Sequence, residues 1–115
     1  MEAHEGNPPI ESPGKGRAKI KSWSDTFTVI IYLQGVKPDA QYNAHLHEGT
    51  CETGGAGGVS LEPVQSDSQG RGRSRSVVAY AKLNPTMDHL IMVHNPRGQH
   101  ILCADLPPID RIKSQ

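Results

Sequence analysis

The chain has 115 residues, 35% hydrophobic but only 4% aromatic, and its twelve basic residues are balanced by twelve acidic ones. A single domain of that size buries one core, made here mainly of Val, Ile, Leu and Ala. A formal charge of zero supplies no global field for nucleic acid or an anionic membrane as principal partner. No apolar run approaches the roughly 20 residues of a membrane span.

Residues 1–16 are polar and hold Pro8, Pro9, Pro13 and three glycines, which predicts a disordered N-terminal tail. That opening resembles the start of a mature exported chain from which a signal peptide has been removed. From Arg17 short extended runs take over. Ala18, Ile20 and Ser22 alternate with Arg17, Lys19 and Lys21, as on a half-exposed strand. Thr26–Leu33 follows, with Phe27, Val29, Ile31 and Leu33 on one face. Gly35–Asp39 is a turn, and Gln41–Glu48 reads as the third strand. Beyond the Gly-rich stretch 54–58, Val59–Val64 extends again. After a loop at Ser66–Gly70, the next strand runs through Arg73–Lys82. Leu83–Asp88, with Asn84-Pro85, is a connection with room for a helical turn. His89–Asn95 and Gln99–Leu106 complete the set around the turn Pro96-Arg97-Gly98. Seven short strands separated by turn signals, with no long 3.6-residue period, predict an all-β antiparallel sandwich or barrel. The predicted domain spans 17–108, closed by Pro107-Pro108, and 109–115 reads as a C-terminal tail.

The chemistry concentrates in His45-Leu46-His47-Glu48-Gly49-Thr50-Cys51, answered by His94 and Cys103. Side chains at i and i+2 of a strand share a face, so His45 and His47 can offer nitrogens to one metal ion, with His94 as a third donor from a later segment. Hydrogen-bonded or solvated strand histidines are the plainer alternative. The two cysteines pair in an oxidising compartment, or stay as buried thiols or metal ligands in a reducing one; the absence of CxxC spacing favours the disulfide.

The order His-x-His-Glu-Gly…Cys, Gly-rich loop, Val-His, then a second Cys near the end resembles the copper/zinc superoxide dismutases. The string is closer still to short bacterial extracytoplasmic relatives with His-x-His-Glu-Gly-Thr-Cys. The similarity runs from about Tyr42 to Leu106. It implies a Greek-key β-sandwich of the superoxide dismutase-like (immunoglobulin-like) type. His45, His47 and His94 match the copper ligands, and Cys51 and Cys103 match the intramolecular disulfide. Three positions depart from the family. Gly57 stands where the enzymes carry a bridging histidine. The zinc loop is missing between Gly58 and Gln69. His100 replaces the arginine that guides the anion, and is a candidate fourth ligand.

The resemblance implies an extracytoplasmic (periplasmic or secreted) domain that binds one copper ion, with zinc as a possible substitute, and that buffers or delivers copper with weak or no dismutase activity. A copper-only superoxide dismutase, with superoxide as its partner, is the alternative; a metal-free interaction domain is the second. Glu48 is a candidate hydrogen-bond partner for a ligand histidine. His4 would form an amino-terminal Cu(II) motif if the mature chain began at Glu2. Arg71-Gly72-Arg73-Ser74-Arg75 lacks aromatic interleaving and reads as a solvated hairpin rather than an RNA-binding segment.

Overall fold

A computed structural model describes residues 15–114; the His4 motif and the greater part of the expected N-terminal tail lie outside them. Seven strands are present among the described residues: β1 (Lys15–Trp23), β2 (Thr26–Gln34), β3 (Gln41–Thr50), β4 (Gly54–Gln65), β5 (Gly72–Ala79), β6 (His89–His94) and β7 (His100–Asp105). A 3-10 turn at Tyr80–Lys82 follows β5, and a short helix α1 (Ile109–Lys113) closes the chain.

The strands form two antiparallel sheets, β1-β2-β5 and β4-β3-β6-β7. Along one seam β4 meets β5 through a Ser66–Gly72 bridge and a hydrogen bond from the Glu62 amide to Ser76 Oγ at 2.8 Å. Strands β3, β4 and β5 are thus neighbours in sequence and in space, and β6 returns to lie beside β3, which is Greek-key connectivity.

Alternation builds the core. In β2 the buried residues are Phe27, Val29, Ile31 and Leu33, every second position, and β3 adds Tyr42, Ala44 and Leu46. Ile91, Val93, Ile101 and Leu102 complete the facing sheet. Each such side chain contributes on the order of 1.5–3 kcal/mol by leaving water. Tyr42 spends its hydroxyl on the Lys37 amide at 2.8 Å, so the largest fully buried side chain leaves no polar atom stranded.

Four boundaries differ from the sequence reading. The strand expected over Arg73–Lys82 ends at Ala79, and Tyr80–Lys82 turns as a 3-10 helix. Lys15 and Gly16 belong to β1 rather than to a tail. The glycine-rich stretch is part of β4: Gly58 adopts φ +108°, and a Cβ there would overlap the Leu46 carbonyl oxygen. Glycine here admits a bulge that keeps β4 pressed on β3 beside His47. The expected tail at 109–115 instead carries α1, whose Ile109 and Ile112 are buried in the core. Pro107 and Pro108 redirect the chain without ending the fold.

Candidate metal centre

The face of the four-stranded sheet turned away from the core is built by register. On β3, Asn43, His45 and His47 point outward between the inward Tyr42, Ala44 and Leu46. Their partners on β6 are His94, Met92 and Leu90 respectively. On β7, Cys103 lies opposite Met92, and His100 opposite His94.

The last pairing depends on a bulge. Register slips by one between Val93 and His94, leaving Ile101 as the additional residue on β7. Ile101 and Leu102 are consecutive core residues, so His100 and Cys103 both face outward three positions apart. The β6–β7 turn is fixed by buried Asn95. Its Oδ1 accepts from the amides of Arg97 (2.9 Å) and Gln99 (3.0 Å), and its own amide donates to the Gln99 carbonyl at 2.9 Å.

The result is a connected row of four imidazoles. His47 stacks on His45 with ring centres 5.5 Å apart; His45 meets His94 edge-on at 5.3 Å; His94 meets His100 edge-on at 4.7 Å. Two imidazoles on one ion at a metal–nitrogen distance of about 2.0 Å have ring centres about 5 Å apart, so the spacing suits a shared ion. Nδ1 of His45 and Nδ1 of His94 are both buried without a hydrogen-bond partner. Unpartnered buried nitrogens are costly unless something else binds them. Among the described residues, however, no group of three or more His, Cys, Asp or Glu side chains stands ready to hold a metal ion as oriented. The strands bring the rings together without converging their nitrogens.

Burial pushes the His45 imidazole below its ordinary pKa, and repulsion from His47 acts in the same direction. His94 is lowered chiefly by burial, then by His100, His45 and His47, against a backbone contact with Asn43. Both rings are thereby biased toward the neutral form, the form that donates a lone pair to a metal.

Cys51 and Cys103 form a disulfide across 52 residues, with Cα atoms 5.9 Å apart. With Leu90 and Met92 they make a second apolar cluster beside the histidines, outside the main core. The Cys51 amide donates to Asp105 Oδ1 at 2.7 Å, anchoring the 51–53 turn to β7. Glu48 lies opposite His89 on β6, so its cross-strand neighbour is that buried histidine rather than one of the four clustered rings. His89 escaped the sequence reading: it is 3% exposed, its Nε2 has no partner, and it shares the core-side parity of Ile91 and Val93. Met92 escaped it too, since nothing local marks a methionine as the partner of His45. No helix among the described residues is long and apolar enough to cross a membrane.

No protein-family model matches the chain, and no curated protein matches it. The chemistry of the centre therefore rests on its own geometry.

Proposed function

We propose that this is an exported, superoxide dismutase-like domain that binds one copper ion through His45, His47 and His94, with His100 as a fourth imidazole at the rim. The observation that supports it most is the row of four rings on one sheet face, with the buried Nδ1 atoms of His45 and His94 unpartnered. The strand positions of these rings are fixed by register, and binding would require their side chains to turn toward a common focus. An all-imidazole donor set suits Cu(II), Cu(I) or Zn(II), and among divalent ions copper binds such a set most tightly. The disulfide supports an oxidising compartment.

Copper so bound would supply Cu(II)/Cu(I) electron transfer. The residues of this chain favour holding the ion over rapid turnover of superoxide. An imidazole at position 100 carries no permanent charge to draw in an anion, as an arginine there would. Gly57 stands where the enzymes this chain resembles carry a bridging histidine, and a glycine has no group that moves a proton. On β7, Asp105 lies opposite the outward Leu90 and adds negative charge to that face, which repels superoxide. Buffering or delivery of copper is the reading we favour over a copper-only dismutase.

Loading the protein with one equivalent of copper and measuring superoxide decay by pulse radiolysis separates the two. Retention of the ion with a rate at least about 100-fold under the encounter limit of 10⁹ M⁻¹s⁻¹ is expected. A rate near that limit would establish the enzyme instead.

A further inference from the structure

The zero net charge conceals a strong segregation on the other sheet. The outward positions of β1 are Lys15, Arg17, Lys19, Lys21 and Trp23, all exposed. Those of β5 include Arg73 and Arg75, also exposed. Strand β2 lies between and aligns them: Arg17–Tyr32–Arg73 in one rung, Lys19–Ile30–Arg75 in the next, Lys21–Thr28–Val77 beyond. Six cations thus share one three-stranded face, and its outward positions hold no Asp or Glu; Asp25 lies past the end, in the β1–β2 turn. At about 3.3 Å per residue and 4.8 Å between strands, the six sit within a patch roughly 20 Å long and 10 Å wide.

The same face ends in apolar groups. Trp23 is 76% exposed and Val77 is 56% exposed, two of the three exposed large hydrophobics among the described residues. Trp23 pairs with Thr26 and Val77 with Thr28, so both stand at the end remote from Lys15. Lysines on β1 alone would be explained by protection of an edge strand. That account covers Arg73 and Arg75 only in part, since the edge of β5 is met by β4 at the Ser66–Gly72 bridge and the Glu62–Ser76 hydrogen bond, and it does not reach the tryptophan.

We infer that this face is a docking surface for an anionic phospholipid bilayer. Rows of Lys and Arg on one face of a three-stranded sheet match a surface of negative headgroups, and their aliphatic stems would lie along the interface while the charges reach phosphate. Tryptophan is favoured at headgroup level, where its ring is half in hydrocarbon and its N–H in water. Single-stranded nucleic acid fits the same charges less well. It needs open aromatic platforms, and the one ring in the middle of the face, Tyr32, is covered by the Arg17 guanidinium at 4.4 Å. With β1-β2-β5 against lipid, the imidazole row on the opposite sheet faces away into solution.

Trp23 is the chain's one tryptophan, so its emission reports the docked face directly. The full chain is to be mixed with vesicles of equal parts phosphatidylglycerol and phosphatidylcholine, and with pure phosphatidylcholine vesicles. Binding to the anionic vesicles alone is expected, with Trp23 emission shifted to shorter wavelength, and release at about 1 M salt, where the Debye length is about 3 Å. Each cation near such a surface contributes on the order of fivefold in partitioning, so Lys19→Glu with Arg75→Glu should weaken binding by roughly 25-fold or more. Arg97→Glu, in the β6–β7 turn of the other sheet, should leave it within about twofold; circular dichroism verifies that each variant is folded. Absence of binding at low salt, binding that survives the double reversal, or bound protein with unshifted Trp23 emission would each overturn the inference. So would tighter binding of a single-stranded oligonucleotide than of the anionic vesicles in the same buffer.

Discussion

Removing the Cys51–Cys103 link by Cys103→Ser with Cys51→Ser is expected to cost most of the margin by which this domain is folded. The bond closes 52 residues, and the chain-entropy relation for a loop of that length gives about 4 kcal/mol at 25 °C. Domains of this size have only about 5–15 kcal/mol in total. The half-cystines also pack with Leu90 and Met92, so the replacement hydroxyls meet an apolar cluster and nothing offsets the loss. Urea unfolding followed by circular dichroism, with the slope compared between proteins, measures the change. A midpoint shift equivalent to about 3–5 kcal/mol is expected. A loss under about 1 kcal/mol would mean that the 51–53 turn is held mainly by the Asp105 carboxylate, and that the reasoning from loop entropy is wrong here.

Three other outcomes follow from particular side chains. Ile112→Ala should destabilise by about 2–5 kcal/mol in the same assay, as for a core isoleucine, whereas a residue of a loose tail would cost next to nothing. Asn95→Ala strips the turn amides of Arg97 and Gln99 of their acceptor; about 1–3 kcal/mol of stability should go, and NMR should show His94 and His100 moving apart. The metal-free protein should lose stability as pH falls below about 6.5, because the unfolded chain takes up protons at the ordinary histidine pKa while His45 and His94, lowered in the fold, do not. The loss should level off once pH passes below the folded-state values, and His45→Asn with His94→Asn should flatten the curve; a stability that rises on acidification from pH 7 would refute the sign.

Strands with strict alternation were legible in the sequence because one face of each is buried: Phe27, Val29, Ile31 and Leu33 announce β2 on their own. Gly54–Gly58 was not, since glycines that permit a bulged strand look locally like glycines of a loop. Helix α1 was hidden by its five-residue length and by the two prolines before it. The pair His45 and His47 could be placed on one face from spacing alone. His100 could not, because its place opposite His94 depends on a bulge that is visible only once β7 is laid against β6. The basic face was out of reach for a related reason. Its charges come from strands more than fifty residues apart, and only β2 brings the β1 row and the β5 row into one surface.

The central claim concerns the imidazole row, and copper titration with electron paramagnetic resonance tests it most directly. The experiment uses the His4→Ala protein, so that the amino terminus cannot compete, alongside His45→Ala, His47→Ala and His94→Ala made in that background. One Cu(II) per chain with nitrogen superhyperfine structure is predicted, with affinity falling at least about tenfold in each of the three variants, the loss expected when even a partner of a ligand is removed. Absence of saturable binding near neutral pH, or a spectrum unchanged by all three substitutions, would contradict it.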